Sequence, residues 1–217
     1  MVDTKHVFWQ ALLSAILIFG IGLLLGMWLE EKRTDGIEKL LLQSEINVLD
    51  SQLIGKINEN FDVGCSLAKE ELFKFADKIY NEAELLEKYD SSSQLTTTLQ
   101  IMHRRYDLLR VMLWSESIKV KENCKENFHT IIYIYKYTEP TIEVRSEQTA
   151  FSRFLQDVKN EQGNKLLLIP IAGDLNLSSI ELIKSNFGIK GYPAIIVDEK
   201  TKITSLEKLK DIYTLIG

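Results

Sequence analysis

An uncharged run of 23 residues near the N-terminus, Val7–Leu29, constrains this 217-residue chain more than any other feature. A helix crosses the hydrocarbon layer of a bilayer with about 20 apolar residues. Trp9 and Trp28 would lie about 28 Å apart on such a helix, since each residue rises about 1.5 Å, and this separation suits the two interfacial belts. Residues 1–29 are therefore predicted to be an N-terminal tail and a transmembrane anchor in contact with lipid.

A cleaved signal peptide is the alternative interpretation of the same run. Its apolar region is typically about 7–15 residues long and ends in small residues before the cleavage site. Here the run is longer and ends in Met27, Trp28 and Leu29, directly before two glutamates. This ending favours an uncleaved, single-pass anchor in the cell membrane.

The acidic balance of the chain argues against one class of partner. The formal net charge is −5 and the pI is near 5.4, whereas nucleic-acid affinity comes largely from clustered Lys and Arg. The sequence has no glycine-rich phosphate loop, and its three histidines lack a Cys, His or carboxylate partner at metal-ligand spacing. It thus predicts no nucleic-acid partner, no cofactor, no metal site and no catalytic residue, which argues against an enzyme.

Residues 30–126 are predicted to be helical. Between residues 30 and 60 one apolar stripe repeats at helical spacing, and it consists of Leu42, Ile46, Leu49, Leu53 and Ile57. Two interpretations stay open for this stripe: packing against neighbouring helices of the same chain, or a membrane-proximal dimer stalk. Gly22 and Gly26 form a small-xxx-small pair that would also permit a homodimer, although glycine is common in membrane helices for other reasons.

Two amphipathic helices are expected next, at about residues 66–88 and 95–120, with a break at Tyr89–Ser93. A short connection between two such helices predicts an antiparallel hairpin. His103 lies beside two arginines in the second helix. It is therefore expected on the polar face of that helix.

Cys65 and Cys124 lie at the open ends of this hairpin, at nearly equal distances from its turn. Residues placed in this way face each other in an antiparallel pair, so a disulfide is predicted; two unrelated buried thiols are the alternative. The bond would close a loop of about 60 residues, worth roughly 4 kcal/mol in the chain-entropy model.

The sequence contains two opposing indications of the side of the membrane on which the body beyond the anchor lies. Disulfides persist outside the cytoplasm, so the predicted bond places the body beyond the anchor in an extracytoplasmic compartment. The flanking charges favour the opposite orientation, because Lys5 precedes the anchor whereas Lys32, Arg33 and Lys39 follow it. The cysteine geometry is given the greater weight, and an extracytoplasmic body is the prediction.

Residues 127–217 change in pattern and predict an α/β domain. Short apolar, β-branched segments alternate there with amphipathic ones. The expected order is strand 129–137, helix 146–162, strand 165–171, helix 178–187, strand 189–197, strand 201–204 and helix 206–216, the last capped by Ser205.

The segment Gly191–Val197, with Pro193 before an apolar run, resembles the part of the thioredoxin-like superfamily in which a cis-proline precedes the third strand. The preceding Phe187–Ile189 is similar to the usual approach to that proline. The resemblance covers about residues 128–217 and implies a thioredoxin-like fold behind the hairpin and the anchor. It also implies a groove in which a client polypeptide pairs with the backbone before the proline; a turn that serves only the fold is the alternative. The rim of this groove would be formed by Thr138, Pro140, Thr141, Tyr192 and Pro193.

One departure from the family decides the predicted function. Thioredoxins carry Cys-x-x-Cys after the first strand, whereas Thr138-Glu139-Pro140-Thr141 follows the first strand here. A threonine hydroxyl is not a thiolate at neutral pH, so dithiol exchange at this position is excluded. The sequence predicts a membrane-anchored, redox-inactive module that binds or assembles a partner polypeptide. The alternatives are a thiol–disulfide oxidoreductase that uses Cys65 and Cys124, and a purely structural membrane protein that dimerises.

Overall fold

The structure, a computed structural model, describes residues 4–61, 64–90, 96–125 and 128–217. These ranges fold into helices and a four-stranded sheet. In chain order the elements are α1 (Thr4–Asn60), α2 (Cys65–Asp90), α3 (Thr96–Cys124), β1 (His129–Tyr135), α4 (Ile142–Gln162), β2 (Leu166–Ala172), α5 (Ser178–Asn186), β3 (Ala194–Val197), β4 (Thr201–Ile203) and α6 (Asp211–Ile216). Two compact units divide within α1, at Met1–Ile46 and Asn47–Gly217.

The N-terminal unit contains the predicted anchor. Within α1 the segment Phe8–Lys32 is long and apolar enough to cross a membrane, judged by its length and composition. Its most apolar stretch is not buried inside the protein, whereas the core helix of a soluble protein would be. This segment is a candidate membrane span, as the uncharged run predicts.

The sheet of the second unit is mixed, with the strand order β2-β1-β3-β4. Strands β1 and β2 run parallel, and Ile131 of β1 pairs with Leu168 of β2. Strand β3 runs antiparallel to β1, and β4 runs antiparallel to β3. Because β1 is central and its sheet is covered on both faces, five of its seven residues are buried. The predicted α/β class is confirmed.

Alternate residues of the strands feed two separate cores. The first core joins one face of the sheet to α2, α3 and α5, and it includes Ile132, Ile134, Ile169, Ile196, Leu72, Ala76, Leu109, Leu113 and Ile180. The second joins the opposite face to α4 and α6, and it includes Ile131, Leu168, Ile195, Phe151, Leu155, Val158, Ile212 and Ile216. The predicted regions 30–126 and 127–217 thus both contribute to the second compact unit.

Polar contacts also tie the hairpin to the sheet. Lys121, near the end of α3, donates to Glu199 at 2.6 Å and to Thr130 at 2.9 Å. The Trp114 indole donates to the other Glu199 oxygen at 2.7 Å. These bonds fix the turn between β3 and β4 against α3.

The disulfide between Cys65 and Cys124 is present, with the two Cα atoms 5.4 Å apart. It joins the first residue of α2 to the last residue of α3. The predicted antiparallel hairpin is therefore closed at its open end. Of the predicted break, Tyr89 and Asp90 belong to α2, and the remaining positions lie outside the described residues.

The apolar stripe on α1 is exposed, and its members in the second unit, Leu49, Leu53 and Ile57, are not buried against the described helices of that unit. Its side chains are 45–58% exposed, and they are Leu42, Ile46, Leu49, Leu53 and Ile57. The buried face of the second unit's part of α1 carries Asn47, Ser51 and Gly55 instead. Asn47 donates a hydrogen bond to Glu82 of α2, and a Cβ on Gly55 would press against Glu116 of α3. Small and polar residues, together with half-buried Val48, therefore make the contact with the neighbouring helices that was one interpretation of the stripe.

Two predicted helix starts differ from the structure. Helix α4 begins at Ile142, four residues before the predicted start, because the Thr141 hydroxyl accepts the Val144 N–H at 3.4 Å. The last predicted helix consists of a 3₁₀ turn at Leu206–Lys208 and the separate α6. The prediction that Ser205 caps it was wrong, since the Ser205 side chain makes no capping hydrogen bond.

Candidate functional site

Three loops of the second unit meet at one edge of the sheet. Strands β1 and β2 are parallel, so the loops that follow them start at the same edge. Strand β3 enters there as well, because its first residue, Ala194, pairs with Ile134 near the end of β1. The topology therefore brings Thr138, Asp174 and Pro193 to this edge, which we call the proline edge.

Asp174 holds the loop after β1 in place. Its Oδ1 accepts the Tyr137 N–H at 2.8 Å, and its Oδ2 accepts the Thr138 N–H at 2.8 Å. The Thr138 hydroxyl also donates to Oδ2. One carboxylate thus satisfies two backbone donors and the Thr138 hydroxyl. Asp174 therefore stabilises the loop after β1, and the Thr138 hydroxyl donates its hydrogen bond to Asp174.

Tyr192 is fixed from its phenol end. Its hydroxyl donates to the Gly173 carbonyl, and the Lys184 ammonium donates to the same carbonyl at 2.9 Å. The Lys184 nitrogen also lies 5.4 Å from the centre of the Tyr192 ring. Gly173 must lack a side chain, because a Cβ there would overlap the Tyr192 ring and Ile134.

The charge of Lys184 is supported by its neighbours. Burial acts to lower the pKa of the ammonium, but its contacts with Tyr192 and with Glu181, at 2.9 Å, raise the pKa overall. Lys184 therefore stays protonated beside the Gly173 carbonyl across the physiological range.

The Tyr192–Pro193 peptide bond is cis. Pro193 is buried and Tyr192 is half-buried. Among the described residues, the peptide N–H and C=O of Tyr192 make no backbone–backbone hydrogen bond. The phenol of Tyr192 is anchored, whereas its main chain is left available for a further partner.

Pro140 and Thr141 belong to the start of α4. The Thr141 hydroxyl caps that helix, and Glu143 in its first turn has a lowered pKa because its own backbone N–H and the Thr141 hydroxyl bond to it. Contacts in the structure join Thr138 to Tyr192 through Gly173 and Asp174, but they join Thr141 to α4. Of the five predicted rim residues, Thr138 and Tyr192 are thus the pair connected through a shared loop.

His103 belongs to this region and was not predicted to. The expectation that it lies on a polar face was wrong: its side chain is buried, and its ring lies 4.1 Å from the Tyr137 ring. Gly173 and Asp174 could have been suspected, since they directly follow an apolar strand. Nothing local in the sequence distinguishes Lys184 from other helical lysines.

The sulfurs are remote from the proline edge. Cys124 precedes the first residue of β1, whereas Pro193 adjoins the last part of that strand. A seven-residue strand is about 20 Å long at roughly 3.3 Å per residue. No cluster of three or more metal-binding side chains occurs within the part of the chain that the structure describes. The proline edge is therefore equipped for polar and main-chain contacts, and thiol chemistry would have to take place at the opposite end of the sheet.

Comparison with known proteins adds no assignment. No model of a protein family matches this chain, and no curated protein is significantly similar to it.

Proposed function

We propose that this protein is a membrane-tethered, redox-inactive thioredoxin-like module that binds a partner polypeptide at the proline edge. The observation that carries the proposal is the available main chain of Tyr192 beside Pro193. The adjacent loop offers the Thr138 hydroxyl, at the position where the proposed resemblance would have a cysteine. Extended polypeptides are recognised by such main-chain groups without any catalysis.

The connectivity of the sheet supports the thioredoxin-like part of the proposal. A parallel pair, β1 and β2, is joined through α4, and an antiparallel pair, β3 and β4, leads into α6. Helices α4 and α6 pack on one face of the sheet, and α5 packs on the other. The cis bond before Pro193 precedes β3, at the position that the resemblance implies.

A site-specific photocrosslink tests the proposed contact. A photoreactive amino acid at exposed Lys190, two residues before Tyr192, should crosslink a polypeptide in membranes of the native host. The matched control carries the same group at exposed Lys165, directly before β2 and therefore at the opposite end of the sheet. A crosslinked polypeptide at Lys190 and none at Lys165 supports the proposal.

Equal crosslinking at the two positions, or none at either, would count against polypeptide binding at the proline edge. The redox alternative has its own test, since it predicts reduction of an insulin disulfide by this protein. Loss of such activity in Cys65→Ser would favour the oxidoreductase, whereas absence of activity in the unaltered chain agrees with our proposal.

We further propose that the second compact unit faces an extracytoplasmic compartment. The Cys65–Cys124 disulfide supports this side of the membrane, because cytosolic thiols are normally kept reduced. Labelling intact cells with a membrane-impermeant thiol reagent tests the orientation. Labelling only after an impermeant reductant is added would agree with it, and labelling that requires permeabilised cells would refute it.

The outward stripe favours a second candidate function, a structural homodimer. Leu49, Leu53 and Ile57 are 55%, 57% and 45% exposed in the second unit. A second copy in the same bilayer would present its stripe in the same direction, because the anchor fixes chain polarity. A parallel helix pair would then bury these side chains. A monomeric mass in mild detergent, unchanged by Leu49→Gln with Leu53→Gln, would remove this candidate.

A further inference from the structure

An open pocket of about 590 Å³ lies between α2, α4 and the strands β1 and β2. Its volume is within the range of about 300–1,000 Å³ that is usual for small-molecule sites. The residues of its lining that bear on ligand chemistry are Arg110, Arg145, Arg153, Tyr80, Tyr133 and Tyr135. Three guanidinium groups around one pocket are not a consequence of composition, since the chain is acidic overall.

Arg110, on α3, is the buried member of this set. Its guanidinium is 4.5 Å from the centre of the Tyr106 ring, and its Nη1 donates to Asp107 at 3.1 Å. Arg110 is only 9% exposed, and its Nε has no hydrogen-bond partner among the described residues. A buried guanidinium is stabilised when its donors are used. Arg110 therefore contributes a positive charge to the wall of the pocket.

The other two arginines come from one face of α4. Arg145 and Arg153 are eight positions apart, with Thr149 midway between them, and a helix places residues at such spacing in one row. Both side chains are exposed, and neither forms an ion pair in the part of the chain that the structure describes. Glu84 is the acidic residue in the lining. The lining therefore carries more positive than negative charge.

The tyrosines supply a neutral wall. The Tyr133 and Tyr135 rings stack with their centres 5.8 Å apart. Burial raises the pKa of Tyr80 to about 12 and also raises the pKa of Tyr135. These phenols therefore remain uncharged at neutral pH and do not repel an anion. A guanidinium fork matches the oxygens of a phosphate or carboxylate group, and the aromatic wall suits an apolar body.

We propose that this pocket binds a small organic anion, whose phosphate or carboxylate group is held by Arg110, Arg145 and Arg153 and whose body lies against Tyr133 and Tyr135. This site is independent of polypeptide binding at the proline edge. Its size excludes a nucleic-acid strand, which would need a continuous basic groove.

Calorimetric titration of phenyl phosphate into the full-length protein in zwitterionic detergent tests the site. We expect saturable binding of one ligand per chain, tighter than that of inorganic phosphate or phenol alone. Replacing Arg145 and Arg153 together by glutamine should weaken binding at least about tenfold, since each charge-assisted hydrogen bond contributes about 1.5–3 kcal/mol. Both side chains are exposed, so the variant is expected to fold.

Arg104→Gln is the control, because Arg104 is an exposed arginine outside the pocket and this substitution removes one positive charge, as each substitution of the double variant does. It should leave the affinity for phenyl phosphate unchanged. No saturable binding at concentrations up to about 10 mM, where even a millimolar site would be filled, would overturn the proposal. Equal weakening by Arg104→Gln and by the double variant would overturn it as well, because only a general charge effect would then remain.

Discussion

Replacing Cys65 and Cys124 together by serine should lower the free energy of unfolding by about 4 kcal/mol. The bond closes a loop with a sequence separation of 59, and the chain-entropy relation gives a cost of roughly 14 cal/mol/K for a loop of that length, or about 4 kcal/mol at 25 °C. In a domain of this size each kcal/mol corresponds to about 2–4 °C in Tm. The double variant should therefore melt about 8–16 °C below the unaltered chain.

Urea denaturation of the full-length protein in detergent, followed by circular dichroism, measures this difference. Cys65 is exposed, so added reductant reaches the bond, and the reduced unaltered chain should match the double variant. The slope of the free energy of unfolding against urea concentration should be steeper for the reduced chain and for the double variant than for the oxidised chain, because unfolded chains without the cross-link expand further. Equal transition midpoints for the oxidised chain and the double variant would refute the reasoning, since the hairpin would then be held without the cross-link.

Three further predictions concern side chains of the second unit. Burial raises the pKa of Asp107 from 3.8 to about 6, so the folded state binds this proton more tightly than the unfolded chain does. The free energy of unfolding should therefore fall as pH rises from about 4 to about 6, by at most roughly 3 kcal/mol. In a pH series of urea midpoints, Asp107→Asn should remove this decrease. Gly173→Ala should cost about 1–3 kcal/mol in thermal unfolding and should alter the near-ultraviolet signal of the displaced Tyr192 ring, whereas an unchanged melting curve would contradict the close approach. Asn47→Leu should cost about 1–3 kcal/mol in urea denaturation, because it removes a donor from buried Glu82, and a neutral result would show that water replaces that donor.

Local patterns were sufficient for the order of the elements in the second unit. The strands β1 and β2 are continuous apolar runs. Gly163 and Gly188, both at positive φ, follow the ends of α4 and α5, where the sequence predicts that these helices end. The disulfide was predictable because the hairpin geometry depends only on the lengths of two helices. Each of these inferences rests on residues that are close in sequence or that lie on two helices joined by a single connection.

Long-range polar contacts were not predictable in the same way. Asp174 reaches Thr138 across 36 positions, and Lys121 reaches Glu199 across 78. The two arginines next to His103 suggest a polar helix face, yet the His103 ring packs against the Tyr137 ring. The orientation of α1 was also ambiguous, because periodicity identifies an apolar stripe without stating whether the protein itself covers it.

The two outermost strands of the sheet, β2 and β4, explain why a polypeptide strand would be recognised at Tyr192 and not alongside either of them. On the outer side of β2, Lys159 donates to the Leu166 carbonyl at 2.7 Å, and Tyr80 donates to the Leu168 carbonyl. The Ala172 N–H donates to Asp107 at 3.2 Å, and between these positions stands Pro170, which has no N–H to offer. Side chains thus already occupy the groups that an added strand would use. The opposite edge strand, β4, is only three residues long, too short to hold an added strand firmly. A polypeptide that binds this sheet through its backbone is therefore directed to the proline edge, where the peptide groups of Tyr192 have no main-chain partner among the described residues.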